Sequence, residues 1–181
     1  MSSSVGSRNH RFVEEVLPHA DAAYNLARWL SRSDADARDI VQEAFVRALR
    51  YFEGFHGGAA RAWLLSIVRN TAYTWLRAKP PAAESRWNLE SPGAETEEAE
   101  PGEGGDPLTE VTRQQEGDLV RRAIAQLPIE YREVLILREL EDFSYREIAS
   151  ILDCPIGTVM SRLSRARDAL GARIRSEVHG S

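Results

Sequence analysis

The sequence predicts an all-α protein: two small helical domains joined by a flexible acidic linker. Three observations predict it. Apolar residues recur at helical spacing through residues 10–79 and again through 118–176. Residues 80–117 break that spacing and are rich in Pro, Gly, Ala and Glu. From Leu127 to Ala169 a capping box, a tight turn and a helix with arginines on one side follow in succession. A chain of 181 residues can hold one domain or two small ones.

Residues 1–9 are small and polar and are expected to lack order. Phe12, Val16, Leu17, Ala20, Tyr24, Ala27 and Leu30 mark a first helix over Arg11 to Leu30. Ser31 to Asp34 interrupt it, and Ser33 or Asp34 can cap the next helix. That helix, about Ala35 to Phe52, buries Ile40, Val41, Ala44, Phe45, Ala48, Leu49 and Phe52. Its outer face shows Asp39, Gln42, Glu43, Arg47 and Arg50. Three glycines within Glu53 to Gly58 indicate a flexible loop with the aromatic Phe55 on offer, the alternative being a loop aromatic folded back on the core. A further helix, about Ala59 to Arg77, turns Trp63, Leu64, Ile67, Val68, Ala72 and Leu76 inward, so Trp63 is assigned to the core. Arg61, Arg69, Asn70, Tyr73, Thr74, Arg77 and Lys79 occupy the rest of its surface, and Pro80-Pro81 ends it.

The linker carries 2 basic and 10 acidic residues, a net −8, with Trp87 and Leu89 as an apolar island. A helix resumes at Asp118. Pro128 suits a first helical position, because its missing N–H would be unpaired there. Val134, Leu135, Leu137 and Leu140 follow at helical spacing. Ser144 to Glu147 has the form of a capping box, and Ile148, Ile151 and Leu152 stripe the helix it opens. Asp153-Cys154-Pro155 forces a turn, in which Asp can adopt left-handed geometry. Thr158 to Ile174 then forms a longer helix that buries Val159, Leu163, Ala166 and Leu170. Arg162, Arg165, Arg167, Arg173 and Arg175 stand on its other side against Asp168, and residues 177–181 form a tail. A short helix, a tight turn and a basic second helix form the layout of a unit that reads the DNA major groove.

Charge qualifies that reading. The whole chain is at −5. Residues 1–79 hold 11 basic and 8 acidic residues, net +3, and residues 118–181 hold 10 of each, net 0. DNA affinity rests largely on neutralising phosphates, so such a protein binds DNA weakly alone and needs a partner that supplies further contacts. The single cysteine, Cys154, excludes an internal disulfide framework and a Cys-rich zinc site, and the four histidines are scattered. No metal and no cofactor are expected. No stretch approaches the ~18 apolar residues of a membrane span, and the N-terminus lacks a signal-peptide core, so a cytoplasmic protein without membrane insertion is expected. There is no phosphate-binding glycine loop and no nucleophile beside an evident base, which argues against an enzyme.

Four segments together resemble bacterial alternative σ factors of the extracytoplasmic-function (ECF) group, the specificity subunits of RNA polymerase. DADARDIVQEAFVRALRYF is similar to the helix that grips the clamp helices of the polymerase largest subunit. FHGGAARAWLLSIVRNTAYTWLRAK is similar to the loop and helix that melt and read the −10 element. LPIEYREVLILRELEDFSYREIA and CPIGTVMSRLSRARDAL resemble the domain that reads the −35 element. The resemblance implies core-polymerase contacts at Asp39, Gln42, Glu43 and Arg47, and −10 DNA contacts at Phe55, His56, Arg61, Arg69, Asn70, Tyr73 and Arg77. It implies −35 contacts at Thr158, Met160, Ser161, Arg162, Ser164 and Arg165. The implied partners are core RNA polymerase (largest-subunit clamp helices and flap), promoter DNA and an anti-σ factor that wedges between the two domains. The linker would run through the polymerase, where its acid would either mimic RNA or serve only as a solubilising tether. Two positions depart from the family pattern: Met160 stands where Lys or Arg is frequent, and Ser164 where an aromatic or His is frequent. The alternative is a stand-alone helix-turn-helix regulator, which leaves residues 10–79 without a purpose.

Overall fold

A computed structural model describes residues 2–79 and 107–179. Among these residues the chain is helical and contains no strand. Helix α1 spans Ser2–Glu15, so it begins inside the stretch expected to lack order. The single helix expected over Arg11 to Leu30 is divided at Pro18. Proline has no N–H to donate, and the chain tightens into a 3₁₀ turn at Leu17–His19 before α2, Ala20–Ser31. Arg32 closes α2 in left-handed geometry at φ 58°, donating its N–H to the Arg28 carbonyl at 2.8 Å. Ser33 then caps α3, Asp34–Tyr51, by accepting the Asp36 N–H at 3.3 Å. Helix α4 spans Ala60–Ala78. The α2, α3 and α4 helices enclose Leu26, Leu30, Ile40, Ala44, Leu64, Leu65 and Val68, all fully buried. At the far end of α4, Trp75 Nε1 and Lys79 Nζ donate to Asp36 at the start of α3, at 3.4 and 2.5 Å.

The second domain comprises α5 (Pro107–Ala125), α6 (Ile129–Leu135), α7 (Tyr145–Leu152) and α8 (Ile156–His179). The helix expected from Asp118 starts at Pro107, so part of the anticipated tether is helical. The expectations for residues 80–106, including Trp87, Leu89 and most of the acidic run, lie outside the described residues. Pro128 does not open α6 but precedes it in extended geometry, at ψ 145°. The α6 helix runs on into a π-helical turn at Ile136–Leu140, where the Glu141 N–H reaches back five residues to the Ile136 carbonyl at 3.0 Å. This turn was not foreseen from apolar spacing. It widens the helix by one residue per turn, and both Glu141 and Phe143 end buried.

The capping box forms as expected. The Ser144 N–H donates to Glu147 Oε2 at 2.8 Å, and the Glu147 N–H donates to Ser144 Oγ at 3.3 Å. Asp153 ends α7 in left-handed geometry at φ 50°, also as expected. Val159, Leu163 and Ala166 bury the inner side of α8, while Leu170 is only partly covered. Hydrogen bonds from the Ser144 side chain and backbone hold the Glu147 carboxyl below the usual carboxylate range. A depressed folded-state value stabilises the fold above the ordinary range and is lost as pH falls through the lowered value. Ser144→Ala is therefore expected to cost the second domain about 1 kcal/mol in urea unfolding at neutral pH, with the deficit shrinking in acid. An equal deficit at both pH values would separate the cap from the Glu147 charge.

The two domains pack on each other. Helix α4 lies along α7, and α2 meets α6 and the π-helical turn. The apolar core runs continuously across this junction.

Candidate nucleic-acid interface

The outer face of α3 presents Asp39 and Gln42 to solvent. Glu43 and Arg47, one helical turn apart, are half-buried and pair at 2.7 Å. All four expected polymerase-contact residues thus share one face, although Glu43 and Arg47 partly satisfy each other.

The loop after α3 differs from expectation. A 3₁₀ turn at Phe52–Gly54 folds the chain back, with the Phe55 N–H donating to the Phe52 carbonyl at 3.0 Å. Phe55 is only 8% exposed. It stacks on Phe52 at 5.9 Å and lies against Trp63 at 4.8 Å, and Phe52 in turn meets Phe12 edge-on at 5.2 Å. The aromatic expected in solvent is therefore a core residue. Trp63, assigned to the core, is half-buried and covers Phe55. Gly57 and Gly58 carry the chain away at φ 92° and 108°, conformations that favour glycine, and His56 between the turns stays exposed.

Helix α4 separates its expected DNA-contact residues into two groups. Asn70 and Arg77 face solvent. Arg61, Arg69 and Tyr73 do not, because they face the second domain. Arg69 Nε donates to Glu133 Oε2 at 3.0 Å and its Nη2 to Oε1 at 3.4 Å. Its guanidinium also lies over the Tyr73 ring at 4.3 Å. The Tyr73 hydroxyl is buried without a hydrogen-bond partner. Burial, then the nearby Glu133 charge, push the phenol well above its ordinary range. Arg61 donates from Nη1 to the Glu141 backbone carbonyl at 2.7 Å and from Nη2 to the Glu141 carboxylate, and it covers the Phe143 ring at 4.5 Å.

Glu133 and Glu141 were not singled out from the sequence. Glu133 is 0% exposed. Its signal was available: it sits four residues after Ile129 and four before Leu137, on the apolar stripe of α6. A charge on such a stripe is expected to have a partner. Arg132 beside it is also buried, donating to the Ala125 carbonyl at 3.0 Å. Arg32 of the first domain donates to the same carbonyl at 3.3 Å. Burial, then the neighbouring Arg32 charge, lower Arg132 to about 10.

On α8, Met160, Ser161, Ser164 and Arg165 are exposed and Thr158 is half-buried. Met160, at 54% exposure, is an apolar side chain standing in water on the face expected to meet duplex DNA. Arg162 is turned aside: its Nη1 lies 3.6 Å from Glu133 Oε1. One buried carboxylate thus holds an arginine from each of the two expected DNA-reading surfaces. Among the described residues no group of His, Cys, Asp and Glu is placed to hold a metal ion, and no helix is long and apolar enough to cross a membrane.

Comparison with known proteins matches both domains. Residues 16–80 match the family model for sigma-70 region 2, and residues 117–170 match sigma-70 region 4. The chain is 41% identical over 182 aligned positions to the ECF RNA polymerase sigma-E factor of Escherichia coli K12, covering 90% of this chain and 92% of that one. It is 37% identical to the sigma-E factor of Haemophilus influenzae, covering 83% and 79%. Among solved structures it resembles the sigma factor RpoE of Bartonella quintana, crystallised with the anti-sigma factor NepR. That match has a TM-score of 0.67 at 28% identity over 91% of this chain and 96% of that one. It also resembles CnrH in complex with the cytosolic domain of CnrY, at TM-score 0.64 and 25% identity over 93% and 90%.

Proposed function

Because the chain belongs to the family of ECF RNA polymerase sigma factors, we propose that it is a promoter-specificity subunit, which binds core RNA polymerase and directs initiation at −10 and −35 elements under the control of an anti-σ factor. The observation that carries this reading is the presence of region 2 and region 4, in that order, on one chain aligned nearly end to end with sigma-E factors. A stand-alone regulator would need only the second. The protein acts in the cytoplasm and performs no chemistry of its own: polymerase makes the bonds, and this chain selects where.

The residue roles follow from chemistry and exposure. The α3 face of Asp39, Gln42, Glu43 and Arg47 docks on the polymerase clamp. His56, Asn70 and Arg77 are available to single-stranded −10 DNA, with hydrogen bonds to base edges from Asn70 and phosphate attraction to Arg77. Arg61, Arg69 and Tyr73 join them only once the second domain has moved away. On α8, Arg165 reaches a base edge or phosphate, Ser161 and Ser164 position the helix, and Met160 suits the methyl group of thymine. Run-off transcription with core enzyme on genomic fragments, followed by mapping of start sites, tests the reading. Start sites that share two upstream elements are expected, and a protein that shifts DNA alone but never binds core would overturn it. Asp39→Ala with Gln42→Ala is expected to weaken core binding at least about fivefold while leaving unfolding unchanged, since both side chains stand in solvent.

A further inference from the structure

We infer that α8 reads its upstream promoter element through the C5-methyl group of a pyrimidine, with Met160 and Ile156 as the reading pair, so that a methyl and not a charge decides the base at that position. The inference deepens the −35 role proposed above for α8 and rests on it.

Met160 is 54% exposed and Ile156 40%. They stand four residues apart at the start of α8, so they share one flank of the helix, a single turn apart. In a helix-turn-helix unit the N-terminal residues of the second helix are the ones that meet base edges. One exposed apolar side chain is ordinary on a protein surface. Two on one flank, at the helix end that enters the groove, form a patch with a definite complement there. On the major-groove edges of the four bases the apolar group is the C5-methyl of thymine. Cytosine presents the same group at the same place once it is methylated.

The surrounding side chains leave that contact uncontested. Arg162 is turned aside by Glu133 of α6, within the same domain, at 3.6 Å, and Arg167 pairs with Glu139 at 2.7 Å. Ser161 and Ser164 are exposed but small, and exposed Asp168 adds no cation. The α8 helix holds no Asn or Gln, the side chains that pair with the adenine edge through two hydrogen bonds. Arg165 is the exposed arginine nearest to Met160, five residues further on. That spacing is about 7.5 Å along the axis at ~1.5 Å per residue. A helix lying along the groove therefore sets the methyl contact about two base pairs from the Arg165 contact, at ~3.4 Å per step. The flexible thioether of Met160 can follow the methyl, while β-branched Ile156 supplies a stiff shoulder beside it.

The test uses the holoenzyme on a promoter fragment taken from mapped start sites. Each thymine of the upstream element, on either strand, is replaced in turn by uracil, which removes the methyl and keeps every hydrogen-bonding group. At one position uracil is expected to lower promoter binding about fourfold, the worth of one buried methyl-sized group, and at the others to leave it unchanged. Cytosine and 5-methylcytosine, each paired with guanine at that position, test the second source of the methyl: the methylated base should bind about fourfold better. In Met160→Ala the difference between thymine and uracil should vanish, and in Ile156→Ala it should shrink, with urea unfolding of both variants close to that of the wild type. A thymine–uracil difference that persists at full size in folded Met160→Ala would overturn the assignment. No uracil effect at any position, with start sites that still share two upstream elements, would overturn the methyl reading and spare the functional reading. A holoenzyme without promoter preference on unmodified DNA would overturn the functional reading and the methyl reading with it.

Discussion

Phe55→Ala is expected to destabilise the region 2 domain by about 3 kcal/mol, a large fraction of the 5–15 kcal/mol typical of a domain. The ring is almost fully enclosed, stacks on Phe52 and lies under Trp63, and Phe52 continues the cluster to Phe12. Truncation would leave a cavity lined by the Phe52 and Trp63 rings that the rigid α3 and α4 frame cannot close. Urea unfolding of the full-length protein, followed by the fluorescence of its tryptophans, measures the loss. A free loop aromatic that only captures melted bases would behave differently. Its removal would leave unfolding within about 0.5 kcal/mol and affect strand opening alone. The two outcomes are far enough apart for one titration to decide between them. Phe55→Leu, which keeps apolar volume, should recover most of the stability, whereas it would recover little of a stacking function.

The same residue shows where the sequence was legible and where it was not. The helical class, the two domains, the Ser33 and Ser144 caps and the Asp153 turn all depend on interactions within four residues, and each took its expected form. Phe55 depends on a 3₁₀ turn that reverses the chain onto α4, and glycine content alone indicates a loop without saying which way it folds. Pro18 is a local signal for the break before α2, since proline inside a helical pattern ends or kinks it. The π-helical turn at Ile136–Leu140 adds a residue without altering the apolar character of the stretch, so 3.6-residue spacing does not reveal it. The candidate site divides the same way. Asp39, Gln42, Asn70, Arg77 and Arg165 are exposed because their helix faces dictate it. Arg61 and Arg69 are occupied by partners tens of residues away in sequence, across a domain junction that no local pattern encodes, and Arg162 by Glu133 on a neighbouring helix of its own domain.

Arg165→Ala is expected to lower promoter-specific transcription by about 5- to 150-fold, the equivalent of the ~1–3 kcal/mol carried by one good base contact. Its position makes the effect interpretable. Arg165 stands in solvent on α8, while its neighbours Leu163 and Ala166 pack the inner side, so truncation leaves the helix and the core as they are. Core binding should therefore be unchanged, because the face assigned to polymerase lies on α3 in the other domain. Arg162→Ala would be less informative, since it also removes a partner from the buried Glu133. The pattern across promoters then assigns the contact. Loss confined to one base position, with specificity relaxed there, means Arg165 bridges a guanine edge. Uniform weakening with a shallower salt dependence means it holds a phosphate. With Met160 in place of a cation beside it, Arg165 carries an unusual share of the positive charge on this reading face, which is why its removal should be felt more than that of Ser161 or Ser164. Loss of core binding instead would mean that the region 4 domain, and not α3, supplies the dominant polymerase contact.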